Sequence, residues 1–311
     1  MATTTNVTTT YAGEFALPYL QAALLNPSTI RNGGVTVKPN VKFKQVLKKV
    51  AMSDLIKDGS CDFTPTGTVT LTENILQPDE FQVNFTLCKQ DFRDDWEAIA
   101  MGLSAHDNLP PNLADFIIAK TAAEVATANE TIIWQGVGTG PSAVDGEYDG
   151  FLARFAADAS VLDETGTTVT AANVITELGK VVDKIPAAIY GKEDLFIYVP
   201  QNVYRAYVRA LGGFGASGLG ANGFEGRGNN QILGDLAFDG VKLFLAEGLP
   251  SNEMVAAQAS NLFFGTSLMS DWNEVKVLDM ADLDGSQNVR FVMRYTANVN
   301  YAYGSEIVYY S

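Results

Sequence analysis

The 311-residue chain has little of several things: one histidine (His106), two cysteines (Cys61 and Cys88), 21 basic residues and no long apolar run. Without about 18 consecutive apolar residues, a membrane-spanning helix is excluded. Two cysteines outside any CxxC pair cannot build a disulfide framework or a zinc cluster. The start, Met-Ala-Thr-Thr-Thr-Asn, has neither a basic nor an apolar stretch, so no secretory signal is expected. With 36 acids against 21 bases the formal net charge is −15, which argues against wrapping nucleic acid with the whole surface. What is present is an ample apolar share, 47%, in a chain long enough for about two domains.

The charge is unevenly spread. Residues 31–60 carry seven bases (Arg31, Lys38, Lys42, Lys44, Lys48, Lys49, Lys57) and two acids (Asp54, Asp58), a net +5; residues 61–311 carry −19. Such a cluster is either a solvated face or an arm that lies on an acidic neighbour, for which another copy of the chain is the natural candidate.

Residues 1–12 are a Thr-rich tract expected to be an extended arm, and Glu14–Leu25 has a short helical pattern ending at Asn26-Pro27. Residues 36–90 combine a basic amphipathic segment, a turn at Lys57-Asp58-Gly59-Ser60 and alternating strands at 64–72 and 81–87. They are expected to form one long antiparallel hairpin, with Cys61 and Cys88 on its two arms. An isolated two-stranded ribbon is marginal in water and needs a partner surface. A long helix follows over 111–135, with Asp107-Asn108 as its cap, Pro110 and Pro111 in its first turn and Gly136 at its end. Phe116, Ile117, Ala123 and Ala128 lie among two apolar faces, with Ile118, Ala122, Val125 and Ile132 on the other, as in a helix packed on more than one side. Helix and strand signals then alternate: a helix over 170–185, strand 194–199, helix 201–211, strands 241–246 and 261–265. Residues 212–228 hold eight glycines, Gly213, Gly215, Gly218, Gly220 and Gly223 among them, and are expected to be a mobile loop. Strands over 274–278, 289–301 and 307–310 close the chain, with an Asp284-Gly285 turn. The fold class is mixed α+β.

No catalytic centre, cofactor site or metal site emerges. Gly136-Val-Gly138-Thr-Gly140 follows a helix and opens none, whereas a dinucleotide site needs strand, glycines and then a helix N-terminus. The 212–228 loop has no Gly-Lys-Ser/Thr. Asp282-Leu-Asp284-Gly285 fails as a calcium loop, because Met280 and Phe291 would stand at ligand positions. His106 sits beside Asp107 with Ser104 near, and adjacent residues do not arrange a triad. Asp91, Asp94, Asp95 and Glu97 are spaced as a solvated helix face.

The order of elements and several local patterns carry a resemblance. Glu130-Thr-Ile-Ile-Trp134-Gln-Gly136-Val-Gly138, then Gly150-Phe151-Leu152, is similar to the signature ending the spine helix of HK97-fold major capsid proteins of tailed bacteriophages. Tyr198-Val199-Pro200-Gln-Asn-Val203-Tyr204, Gly240-Val-Lys-Leu-Phe-Leu-Ala246, Leu249-Pro250 and Asn261-Leu-Phe-Phe-Gly265 resemble later elements of that family in the same order.

The resemblance covers essentially the whole chain. It implies an N-arm over 1–35, an E-loop over 36–90, a P-domain over 91–150 and 275–311 built on a spine helix about 111–135 (Phe116, Ile117, Val125, Ile132, Trp134), and an A-domain over 151–274. The glycine loop would approach the capsomer centre, and Asp284-Gly285 would be a P-domain turn. The basic residues named above, with Gly59, would form inter-subunit contacts. The function implied is non-enzymatic: pentamers and hexamers self-assembling in the host bacterial cytoplasm into an icosahedral virion shell. That shell would enclose double-stranded DNA without sequence-specific binding and without a membrane. Portal and decoration proteins are implied partners; the archetype's N-terminal scaffolding region has no counterpart here, so scaffolding is expected from a separate protein or from a prosegment already removed, with Met1 favouring the former. Two alternatives stay open: an encapsulin-like nanocompartment, and a soluble enzyme with an unrecognised site.

Overall fold

The computed structural model describes residues 8–12, 25–53, 55–59, 61, 67–88, 111–211, 236–267 and 274–311. The helical pattern at 14–25, the His106 segment, the acids at 91–97 and the whole glycine loop 212–228, with Gly213, Gly215, Gly218, Gly220 and Gly223, lie outside them, save Leu25.

In chain order, β1 (Thr8–Ala12) is followed by the single-turn α1 (Ser28–Arg31) and the short β2 (Thr36–Lys38). β3 (Gln45–Ser53), β4 (Thr68–Leu76) and β5 (Asp79–Cys88) come next. The long helix α2 spans Pro111–Gln135, as its proline start and glycine stop predict. It ends where it must, because a Cβ on Gly136 would lie 2.3 Å from the Tyr148 carbonyl oxygen. After it come α3 (Phe151–Ala157), β6 (Leu162–Glu164), α4 (Val174–Asp183), β7 (Leu195–Val199) and α5 (Gln201–Leu211). β8 (Ala237–Phe238), β9 (Val241–Leu245), β10 (Met254–Gln258), β11 (Leu262–Thr266) and β12 (Glu274–Asp279) follow. The one-turn α6 (Ala281–Asp284), β13 (Asn288–Tyr301) and β14 (Val308–Tyr310) complete the chain.

Among the described residues the strands form two six-stranded sheets and a separate ribbon. In the first sheet, β13 is the long central member: its first ten residues pair with β5, Asn288 opposite Cys88 through Ala297 opposite Asp79. It also pairs with β12 and with β11, while β1 extends β12 and β2 runs parallel to β11. Val289, Phe291, Met293 and Tyr295 alternate inward and meet Phe81, Val83, Phe85 and Leu87 from β5. α2 lies against this layer through Ile118, Ala122, Val125, Ile133 and Trp134. The second sheet runs β6-β14-β10-β7-β9-β8, with α4 and α5 packed on it. Its β7 and β9 are parallel, which requires a crossover, and α5 lies in that connection.

Three expectations are corrected here. The long hairpin is shorter than residues 36–90: only β3 and β4 pair with each other, and β2 and β5 join the first sheet. Alternation at 81–87 marks a strand with one buried face but does not say which strand it pairs with. Cys61 and Cys88 are therefore not opposed: Cys61 is exposed beyond the ribbon, and Cys88 faces Asn288 across the ladder. Within the chain α2 is buried along one broad face; Ala123 and Ala128 are exposed and Ile132 is half-buried, while the Phe116 and Ile117 side chains lie outside the described residues. The strand expected at 307–310 is present as β14 and lies in the second sheet, beside β10. Asp284-Gly285 is a turn as expected, with Gly285 at φ +71° closing α6 in the left-handed conformation that glycine adopts freely.

Candidate assembly interface

The β3–β4 ribbon has two chemically different faces, fixed by its register. Val46 stands opposite Ile75, Lys48 opposite Glu73, Val50 opposite Leu71 and Met52 opposite Val69. Opposed residues share a face, so these eight side chains form one ladder: three apolar pairs interrupted by one pair of opposite charges. The apolar members are 41–67% exposed. Beyond the ribbon, Leu55 is 60% and Ile56 96% exposed.

The opposite face holds the ribbon to the body at its root. Leu47 and Leu76 are buried, and Leu76 packs so tightly on Gly265 that a Cβ there would come within 2.8 Å of it. Asn74 Nδ2 donates to Asn300 Oδ1 (3.3 Å) and to the Tyr301 carbonyl (2.8 Å). Asn300 Nδ2 donates back to Asn74 Oδ1 (3.3 Å) and to the Ile75 carbonyl (2.8 Å). Further out, the Val50 amide donates to the Tyr303 hydroxyl, and Lys49 Nζ lies 5.3 Å from the Tyr303 ring centroid.

The basic cluster divides accordingly. Lys42, Lys44 and Lys48 are exposed along the ribbon and its approach, with Lys44 over the Phe43 ring; Lys57 and Gly59 are exposed at the tip, and Arg31 at the end of α1. Lys38 is tied into the first sheet, 5.2 Å over the Phe263 ring. Gly59 has open space around it and no left-handed φ, so the tip does not require glycine there.

Beside the ribbon root lies a cavity of about 440 Å³ whose lining includes Asn74, Asp149, Arg154, Asp158 and Asn300. Arg154 Nε donates to the Asp149 carbonyl (3.0 Å) and one terminal nitrogen to Asn298 Oδ1 (2.9 Å). Asn298 Nδ2 in turn donates to Asp79 Oδ2 (2.9 Å) and the Gln77 carbonyl. Partial desolvation pushes the Asp79 carboxyl above its ordinary range, against the pull of Arg154 and Asn298. At Asp158 burial pushes upward too, but hydrogen bonds from Ser160 and Tyr301 outweigh it and hold the carboxyl low.

A buried carboxylate, Glu130 on α2, gathers three elements. The Thr29 amide donates to its Oε2 (2.9 Å), and the Thr29 hydroxyl and the Gly248 amide donate to Oε1. Trp134 Nε1 donates to Thr29 Oγ1 (2.9 Å), so α2, the 25–35 segment and the loop after β9 share one polar knot. The glycine run beyond α2 is filled from within: Glu147 accepts from the Val137 amide, and Asp149 from the Gly138 and Thr139 amides. Amides that could cradle a phosphate are thus satisfied by the chain's own carboxylates. Among the described residues no group of three or more His, Cys, Asp or Glu side chains could hold a metal, and no helix is long and apolar enough to cross a membrane.

Sequence reasoning found the basic cluster but missed Arg154, Glu130, Asn74 and Asn300 as structural centres. Their long-range partners lie 101 to 227 residues away, and only the unusual richness of Asn in Asn298-Val-Asn300 inside a strand pattern hinted at buried amides.

The sequence matches no protein-family model and no curated protein. Among solved structures, a chain of the capsid of an empty GTA particle is similar at TM-score 0.58 and 12% identity, over 91% of this chain and 89% of that one. A chain of the Myoviridae phage XM1 capsid aligns at TM-score 0.56 and 11% identity, over 91% of each chain. One from the virus-like particle of Pyrococcus furiosus aligns at 0.52 and 10%, over 94% of this chain and 98% of that one. Near-complete mutual coverage with sequence identity this low makes the likeness one of architecture: the chain has the HK97-like fold seen in the capsid chains of these particles.

Proposed function

We propose that the chain is a structural shell subunit that self-assembles, without catalysis, into an icosahedral capsid enclosing phage double-stranded DNA. The observation that carries this is an exposed apolar ladder on a ribbon anchored at its root, in a fold shared with capsid chains. Six exposed apolar side chains in register are a surface that water disfavours, and a neighbouring copy is the partner a repeating shell provides. Lys42, Lys44 and Lys48 would meet the acidic remainder of that neighbour and set its register, and heterologous contacts of this kind close into rings. Pentamers and hexamers, a separate scaffolding protein, a portal, decoration proteins, assembly in the host bacterial cytoplasm and a place in the virion belong to the same proposal. So do the assignments of residues 1–35 as N-arm, 36–90 as E-loop, 91–150 with 275–311 as P-domain and 151–274 as A-domain, and of the 212–228 loop to the capsomer centre.

The purified chain should form closed particles visible by negative-stain electron microscopy and elute far ahead of a 311-residue monomer. A chain that stays monomeric at all concentrations overturns the proposal. One alternative within the same fold is an encapsulin-like nanocompartment. Particles that are small, uniform and free of nucleic acid would select it.

A further inference from the structure

We infer that Asn32 is a modification site: its side chain deamidates spontaneously through a cyclic imide, and the polar knot around Glu130 sets how fast. The inference stands apart from shell assembly. Asn32-Gly33 is the one Asn-Gly step among the described residues, and both residues are exposed. Gly33 presents an unhindered backbone nitrogen, with nothing within 4 Å of the place a Cβ would occupy. That nitrogen gives its proton to solvent base and bonds to Asn32 Cγ; the Cγ–Nδ2 bond breaks and ammonia leaves, taking up a proton. Water then opens the imide at either carbonyl, giving aspartate, or isoaspartate in which the main chain runs through Cγ. Nothing is oxidised or reduced, and water is the sole co-reactant.

The folded chain holds this reaction back. Asn32 ends α1 at φ −89° and ψ 7°, and ring closure needs a large rotation of that ψ. The Gly33 amide donates to the Ile30 carbonyl (3.1 Å) and the Gly34 amide to the Thr29 carbonyl (2.8 Å). These are the paired bonds of a Schellman cap, with Gly33 left-handed at φ +75°. Attack waits for the cap to open, so the rate follows the open population. Thr29 keeps the cap closed: its amide and hydroxyl donate to Glu130, and Trp134 donates to that hydroxyl. The isoaspartate product does not fit back. It lengthens the main chain by one atom just before Gly34, where a Cβ would come within 2.7 Å of the Phe244 ring and whose carbonyl accepts from the Tyr198 hydroxyl. Conversion thus loosens the 28–38 segment irreversibly, including β2 where it pairs with β11.

The test incubates the full chain at mildly alkaline pH, folded and in urea, and follows position 32 by peptide mapping and by an isoaspartate-specific methyltransferase. The unfolded chain should convert at Asn32, and the folded chain at least about tenfold more slowly. Thr29→Val, which keeps the side-chain shape and removes the hydroxyl, should speed conversion of the folded chain about tenfold, and Trp134→Phe about fivefold. Trp134→Phe is the milder change and carries the comparison if Thr29→Val does not fold. An unfolded chain left unmodified at Asn32 overturns the site. A folded chain that converts as fast as the unfolded one, or a folded variant no faster than wild type, overturns the gate. Asn32→Asp adds the charge without lengthening the chain and should leave hydrogen exchange over 34–38 unchanged, whereas the isoaspartate-enriched fraction should exchange faster. Equal exchange in the two overturns the loosening.

Discussion

Asn74 and Asn300 exchange side-chain amide hydrogen bonds in both directions, each at 3.3 Å, and each also donates to the backbone of the other's strand. This four-bond lock joins the ribbon to the central strand of the first sheet at a single place. It fixes the ribbon at its root, and the Tyr303 hydroxyl, accepting from the Val50 amide, steadies it further out.

Replacing Asn300 by Ala leaves Asn74 and the Ile75 carbonyl short of partners in a partly buried site, at a cost of about 1 kcal/mol. Hydrogen exchange should show faster exchange across 45–53 and 68–76, with the amides of 195–199 unchanged. Equal acceleration in both sheets would contradict a local lock.

Two leucines on one strand should separate folding from assembly. Leu76 is fully buried, so Leu76→Ala should destabilise the chain by about 2–5 kcal/mol in a urea titration. Leu71 is 67% exposed, so Leu71→Ala should move the same titration by less than about 0.5 kcal/mol while reducing particle yield.

The knot at Glu130 should respond to removal of a single donor. Trp134→Phe keeps most of the buried ring but withdraws the hydrogen bond to Thr29, a loss of about 1 kcal/mol. Trp134→Ala adds a cavity beneath α2 and should cost about 3–5 kcal/mol, measured as the shift in denaturation midpoint multiplied by the slope.

Acidification should weaken the fold through Glu177. Its burial pushes the carboxyl up, but hydrogen bonds from Lys180 and Tyr310 more than reverse this and hold it below its ordinary value. A carboxyl held low in the folded chain contributes stability above its unfolded pKa, and that contribution is lost as pH falls through the folded value. Asp79, held high, acts in the opposite sense and gains on acidification. Urea midpoints measured from about pH 6 to pH 3 should therefore fall, and fall less steeply in Glu177→Gln.

Reversing Lys42, Lys44, Lys48 and Lys49 to Glu should block particle formation and leave a folded monomer by circular dichroism. Lys49 also sits over the Tyr303 ring, so restoring it alone should recover root stability without recovering assembly. Normal particles from the fourfold variant would remove the charge argument.

Periodic signals carried the elements and left their partners open. Pro111 and Gly136 bounded α2 because both act through local backbone geometry. β10 was missed: Met254-Val-Ala-Ala-Gln258 is buried throughout, and a strand covered on both faces has no alternation to read. The basic cluster was visible as composition, but the apolar ladder emerged only with the register, which sets Val46 on Ile75 and Val50 on Leu71. Arg154 carries no signal in the sequence, since Asn298, its partner, arrives from 144 residues away.

The strand order of the second sheet also imposes a schedule. β6 and β10 both pair with β14, so the edge begun at Leu162 waits for Val308 before it can close. At roughly 5–20 residues per second, that interval is about 7–30 s of synthesis. The ribbon is complete by residue 76, yet Asn300, which locks its root, emerges only near the close of the same interval. A nascent chain thus displays its apolar ladder well before it owns a body to hold it. On crowded ribosomes, premature pairing of ribbons is the hazard, and Lys48 with Glu73 at the centre of the ladder is the feature that makes such pairing costly in the wrong register.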